Sequence, residues 1–198
     1  MQAARGASLN SSAGAHPDRP HASALRLRLG FTVVFVTGYL LDVTSKIVAV
    51  EQLGDGSEVQ LVGDWFQLHL TRNPGAAFSA GSEVTPVLSV LAIAASGVVL
   101  YLARRLGSGW WAVSLGLLLA GITGNLTDRL LRAPGPLRGH VVDFLELPNW
   151  PIFNVADICI NAGAVLALLL TLRGIAVDGT RDQRRSRDDG AVPGGPTP

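Results

Sequence analysis

The chain has 198 residues, of which 48% are hydrophobic and only 16% charged, with 23 glycines, one cysteine and a formal net charge of +1. A soluble domain carries about 25% charged residues, so these figures argue against a soluble globular enzyme, and equally against a disordered chain. A lone cysteine excludes an intramolecular disulfide framework, and a near-zero charge with no basic stripe among aromatics excludes a nucleic-acid footprint.

In chain order, Met1–Ala24 is polar and rich in Gly, Ser and Arg, and is expected to be disordered. A first apolar span follows at about 27–50, interrupted by Asp42 and Lys46. These two charges stand where small residues would mark a signal-peptide cleavage site, so the span is expected to be retained. In the 51–83 loop, Val59–Leu70 partly alternates apolar and polar residues and predicts one or two short strands. Asn73-Pro74-Gly75 then reads as a turn leading back toward the second span, about 84–104, whose stretch Val84–Ala103 carries no charge. The third span, about 110–131, ends among Asn125, Asp128 and Arg129. Val141–Phe144 in the next loop could join the strands, and Leu147-Pro148-Asn149-Trp150-Pro151 is turn-forming. The fourth span, about 152–173, opens with Asn154, Asp157 and Asn161, and Asp178–Pro198 is a second polar tail expected to be disordered.

Each span approaches the roughly 20 residues that a bilayer requires, and a backbone in lipid must satisfy its own hydrogen bonds, so all four are predicted to be helices. Runs of Gly, Ala and Ser such as Gly116–Gly124 and Ala162–Ala167 permit close helix contact. The expected fold is thus an all-α integral membrane protein. Its four-helix domain covers 26–175 between tails 1–25 and 176–198, with a small extracytoplasmic β element. Eleven of the sixteen Lys and Arg residues lie in the tails and in the short link after the second span. The positive-inside rule therefore predicts that both termini are cytoplasmic.

In so apolar a chain the polar residues at the span ends carry the information, because a charge at the bilayer centre costs at least about 2.5–3.5 kcal/mol. Asp42 and Lys46 are four apart and can pair on one helix face, either as a structural pair or with a chemical role. Asn125 shares a face with Asp128 and Arg129, which can equally be interface residues. Asn73 is first a turn residue, and lone span asparagines often only join helices. Asp157 has no basic residue within a turn to neutralise it, and the 147–151 turn could bring Asp143 against it at the membrane boundary. Two close carboxylates share a proton, so one serves as base toward water and the other as acid toward the carbonyl oxygen or leaving amine. Competing chemistries do poorly. There is no Gly-x-Ser-x-Gly or His-Glu-x-x-His motif. His69 and His140 lie in different loops, His16 and His21 lie in the first tail, and Cys159 sits in an apolar helix without a base. Neither a metal nor a cofactor is expected.

Five segments, in order, resemble the motifs of one family: Asp42-Val-Thr-Ser-Lys46, Asn73-Pro-Gly-Ala-Ala-Phe-Ser79, Gly124-Asn-Leu-Thr-Asp-Arg129, Val141-Val-Asp-Phe144 and Phe153-Asn-Val-Ala-Asp157. Together they make the chain, over about 27–174, similar to the bacterial lipoprotein signal peptidases (signal peptidase II). The resemblance implies that Asp143 and Asp157 form a catalytic dyad. It implies that Asn73, Asn125, Arg129 and Asn154 line or brace the site, with Asp42, Lys46, Asp128, Gly75 and Phe78 supporting it. It further implies an inner-membrane aspartic endopeptidase with its site at the extracytoplasmic face and no cofactor. Its substrate would be a diacylglyceryl-modified prolipoprotein, cut before the lipid-bearing cysteine, with membrane lipid as the other partner and a monomer as the working unit. Ala120 and Ile158 depart mildly from the usual pattern, where the family often has Gly and a smaller residue. A transporter or channel subunit using Asp42, Asp128 and Asp157 as a proton or ion path is the alternative, and a non-cleaving lipoprotein-binding assembly factor is a third reading. The path reading suffers because the second span offers only Tyr101 as an ionisable residue.

Overall fold

The computed structural model describes residues 19–75 and 84–181; Phe78 and the outer parts of both tails lie outside the described residues. The elements in order are α1 (Arg19–Leu53), β1 (Glu58–Val62), β2 (Phe66–Asn73), α2 (Thr85–Ala103), α3 (Gly109–Leu131), β3 (Val141–Glu146) and α4 (Val155–Leu172). The stretch Ala24–Leu53 of α1, together with α2, α3 and α4, gives four helices of 30, 19, 23 and 18 residues that are long and apolar enough to cross a membrane. Helix α1 starts ahead of its apolar stretch, because Arg26 and Arg28 are good helix formers and Pro20 falls in the first turn, where no N–H is required.

Helix α3 is the central one. Over half of its most apolar window (56%) is buried, against 11% for α2 and 22% for α4, whose remaining faces carry exposed Val, Leu and Ile suited to lipid. Its small residues let the partners approach until no side chain fits between them. A Cβ on Gly121 would lie 2.3 Å from the Ala156 carbonyl oxygen, and one on Gly124 would lie 2.4 Å from Asp42 Oδ2. Ala120, a departure from the expected glycine, is accommodated because Gly38 faces it: a Cβ on Gly38 would stand 2.9 Å from the Ala120 methyl. Ile158, the other departure, is 48% exposed and points away from this packing.

The expected strands form one antiparallel sheet in the order β1-β2-β3 at one end of the bundle. Thr71 pairs with Asp143 and Asn73 with Val141, so Asn73 and Asp143 are diagonal neighbours on one face. The 147–151 segment turns as expected. Trp150 N–H donates to the Leu147 carbonyl, and Asn149 takes the left-handed conformation (φ 58°) that Asn tolerates. Phe153 then pairs with Leu145, exchanging bonds of 2.8 and 3.0 Å, which returns the chain alongside β3 and delivers Asn154 as the N-cap of α4.

The second tail differs from expectation at its start. Residues 175–181 fold back at the end of the bundle opposite the sheet. Trp111 Nε1 donates to the Ile175 carbonyl and Gly107 N–H to the Val177 carbonyl, both at 2.9 Å. Ile175 and Val177 supply the reason, since they pack on the cluster of Trp111, Leu115 and Leu170 and would otherwise be left in water. The close α3–α4 contact gives a first prediction. Gly121→Ala should lower stability by about 1–3 kcal/mol through overpacking, read as a lower thermal midpoint in detergent. Gly97→Ala, with open space around its Cβ, should leave that midpoint unchanged or slightly raised.

Candidate active site

The buried ammonium of Lys46 organises the polar end of the bundle. Lys46 is 1% exposed, and its Nζ lies 2.9 Å from Asp42 Oδ2, 2.9 Å from Asp128 Oδ2 and 2.9 Å from Asn125 Oδ1. One hydrogen bond, to Asn125, and two ion pairs, to Asp42 and Asp128, surround the ammonium. Both carboxylates are tied further into the fold. Asp42 Oδ1 accepts the Ala156 N–H at 2.8 Å in the first turn of α4, a position where a helix favours negative charge. Asp128 accepts the Val142 N–H of β3 at 3.2 Å and pairs with Arg132. One cation thereby joins α1, α3, α4 and β3.

On the other side of Asn125 lie the two remaining acids. Asp143, on β3, is 1% exposed, whereas Asp157, in the first turn of α4, is half-buried. Asn73 Nδ2 donates to Asp143 Oδ2 at 2.9 Å and Asn154 Nδ2 donates to Asp143 Oδ1 at 2.6 Å. Asp157 accepts from Asn125 Nδ2 at 2.8 Å on Oδ1 and from the Asn154 N–H at 3.2 Å on Oδ2. Asn154 therefore touches both acids, and its capping box with Asp157 fixes the start of α4.

The orientation of each amide follows from what its oxygen accepts. Asn73 Oδ1 accepts the Gly75 N–H at 2.8 Å, Asn154 Oδ1 accepts the Asp157 N–H at 2.9 Å, and Asn125 Oδ1 accepts from Lys46. Each oxygen faces an obligate donor, so each NH2 must turn toward a carboxylate. Burial pushes the Asp143 carboxyl up to about 6, with the neighbouring charge of Asp157 adding to the effect and the Asn73 and Asn154 donors opposing it. Arg129, on α3, lies within electrostatic reach of Asp157, Asp143 and Asp128. Its Nη1 donates to the Asn125 carbonyl at 3.4 Å, and its buried Nε has no acceptor among the described residues. A groove of about 470 Å³, lined by Trp150, Phe153, Asp157, Ile158, Asn161, Ala162 and Val165, leads from Asp157 along the lipid-facing side of α4.

The family model described as "Signal peptidase (SPase) II" matches residues 34–173, the part of the chain that carries every one of these side chains. The chain belongs to the signal peptidase II family. Its members are peptidases, and this chain is one of them. The lipoprotein signal peptidase of Leifsonia xyli subsp. xyli is 46% identical over 190 residues, covering 94% of this chain and 86% of that protein. That of Mycobacterium tuberculosis (strain H37Rv) is 47% identical over 154 residues, covering 78% and 75%. Two solved structures, each titled a bacterial membrane enzyme, share the fold with a TM-score of 0.62 at 23% identity, over 77% of this chain and 88% and 94% of theirs.

Within this signal peptidase II fold, every described residue expected at the site lies in one connected network. Asp42 and Asp128, two acids of the ion-path reading, are both held by Lys46 rather than strung across the membrane. Phe78 alone lies outside the described residues. Sequence reasoning missed the hydroxyls of Thr85 and Ser89, both fully buried at the start of α2. Their only signal was a Thr immediately before Pro86 at the head of an uncharged span. The Lys46 hub gives a second prediction. Lys46→Met leaves the buried Asp42 carboxylate without a cation and Asp128 with Arg132 alone, and should cost about 3–5 kcal/mol, read as a large drop in thermal midpoint in detergent.

Proposed function

We propose that this chain is a membrane-embedded aspartic endopeptidase that removes the signal peptide from diacylglyceryl-modified prolipoproteins, cutting before the lipid-bearing cysteine. The supporting observation is the convergence of the Asn73, Asn125 and Asn154 amides on the carboxylates of Asp143 and Asp157. In this reading both termini are cytoplasmic, the sheet and the dyad lie at the extracytoplasmic face of the bacterial cell membrane, and the monomer is the working unit. The lipid of the substrate cysteine then holds the scissile bond at the depth of the dyad. The groove beside Asp157 accommodates apolar substrate, being mostly apolar in lining and open to the bilayer side.

We assign the shared proton to Asp143, the more buried acid. Asp157, half-buried at the groove, is then the base. It takes a proton from water as the oxygen attacks the scissile carbonyl carbon, while Asp143 gives its proton to the carbonyl oxygen. In the resulting gem-diol, Asp143 takes a hydroxyl proton back. Asp157 delivers its own to the cysteine nitrogen, and the C–N bond breaks to a carboxyl and an amine. Arg129 keeps a positive charge near the two acids, favouring the singly ionised pair over the fully protonated one.

Two predictions follow from these roles. Asp143→Asn and Asp157→Asn should each lower cleavage of a purified lipidated precursor at least about a hundred-fold while eluting as folded protein, and a non-lipidated precursor should remain uncut by the wild type. Full cleavage by either variant would sink the dyad. An acid must carry its proton, so the rate should also fall as pH rises through the apparent pKa of the pair. Asn73 favours ionised Asp143. Asn73→Ala should therefore move this alkaline limb to higher pH, measured as kcat against pH.

A further inference from the structure

Helix α2 contributes no charge to the network, yet its first turns hold two buried hydroxyls. Thr85 and Ser89 are both 0% exposed. A Thr at a helix start commonly caps its own helix. Here the N-cap is Val84, which makes no side-chain bond, and the Thr85 hydroxyl instead donates to the Pro74 carbonyl at 2.5 Å. One turn later the Ser89 hydroxyl donates to the Leu137 carbonyl at 2.8 Å, holding the loop that leads into β3.

The Pro74 carbonyl belongs to the same peptide plane as the Gly75 N–H. That N–H donates to Asn73 Oδ1, and Asn73 Nδ2 donates to Asp143 Oδ2. The groups form one line from the Thr85 hydroxyl through the Pro74–Gly75 peptide and the Asn73 amide to the acid. Gly75 is the weak point of this line, for its φ of +115° lies in the region where glycine is free to rotate its flanking peptides. Packing confines the residue, since a Cβ there would lie 2.7 Å from Leu88 Cδ1. The Gly75 N–H bond to Asn73 Oδ1 holds one side of that peptide plane, and the Thr85 hydroxyl on the Pro74 oxygen holds the other.

We propose that Thr85 is a positioning residue for Asp143, its hydroxyl locking the Pro74–Gly75 peptide plane so that the Asn73 amide presents its NH2 to the acid. This rests on the reading of Asp143 and Asp157 as the dyad. The hydroxyl touches neither substrate nor the reacting atoms and acts through two intervening groups. Because hydrogen bonds in a line polarise one another, its loss reaches Asp143 as a weaker donor on Oδ2.

The test compares Thr85→Val, which keeps the shape and removes the hydroxyl, with Thr85→Ser, which restores it, in the full-length protein. Thr85→Val should lower kcat for the lipidated precursor about five- to ten-fold with KM little changed, the size expected from one buried hydrogen bond. It should also shift the alkaline limb of the pH profile upward, in the direction of Asn73→Ala, and Thr85→Ser should return both. The double variant with Asn73→Ala should show no loss beyond Asn73→Ala alone. Exchange of the Gly75 amide with deuterium should quicken in Thr85→Val while α2 keeps its protection. Ser96→Ala, which removes a hydroxyl bonded to Ala92 of its own helix, should match the wild type throughout. An unshifted limb, full additivity with Asn73→Ala, or unchanged Gly75 exchange overturns the role of Thr85. An active Asp143→Asn instead overturns the dyad reading, and the Gly75 exchange still decides the lock by itself.

Discussion

A charged amine sealed inside an apolar bundle is the constraint on which the remaining geometry depends. Lys46, 1% exposed, is out of water, and its charge is met by the carboxylates of Asp42 and Asp128 and by the Asn125 side-chain oxygen. Each acceptor is in turn fixed by a different element. Asp42 binds the first turn of α4, Asp128 binds β3, and Asn125 reaches Asp157. A buried ion pair often adds little net stability, but it does penalise every arrangement in which a partner is missing. Here that penalty holds three helices and a strand in one register at the end of the bundle where the peptidase chemistry is proposed.

The same logic sets the protonation chemistry. An amide side chain offers a donor or an acceptor depending on how it is turned, and an acid beside it responds in opposite directions to the two. Lys46, the Gly75 N–H and the Asp157 N–H occupy the three asparagine oxygens, so all three amides present hydrogen to the carboxylates. The donors favour the ionised forms, while burial and the Asp157 charge disfavour ionised Asp143, and the balance leaves that carboxyl near 6. Such a balance suits a pair that shares one proton and takes both acid and base roles in a cycle. The difference in exposure between fully buried Asp143 and half-buried Asp157 gives the two acids different surroundings, which separates their proposed tasks.

Packing makes this polar end possible in lipid. Helix α3 lies between α1, α2 and α4, and its glycines allow backbones to approach within the space of a missing methyl. Gly124 is the clearest case, because the space beside it holds an Asp42 carboxylate oxygen. The small residues of α3 thus make room for the ion network as well as for helix contact. At the opposite end, Ile175 and Val177 cover the core next to Trp111.

Much of this was legible in the amino-acid order. Hydropathy marked the four helices, partial alternation over Val59–Leu70 marked the first two strands, and the i, i+4 spacing of Asp42 and Lys46 allowed their pairing, because each depends only on local geometry. Turn residues at 147–151 placed Asp143 and Asp157 near each other for the same reason. Local patterns could not show that Lys46 also binds Asp128 and Asn125, 79 residues from it in the latter case, since those contacts exist only once α1 packs on α3. Nor could they show that 175–181 folds, because the apolar surface that draws Ile175 in is assembled from other helices. Thr85 lay deepest. A hydroxyl in an uncharged span carries no signal of its own, and its partner is a backbone carbonyl, which every residue possesses and no sequence pattern marks. The sequence by itself determined which groups are present and which membrane-sized elements carry them. Only the tertiary structure decided which way each amide faces, and so which acid receives which hydrogen, because that depends on donors brought from other elements at hydrogen-bond distance.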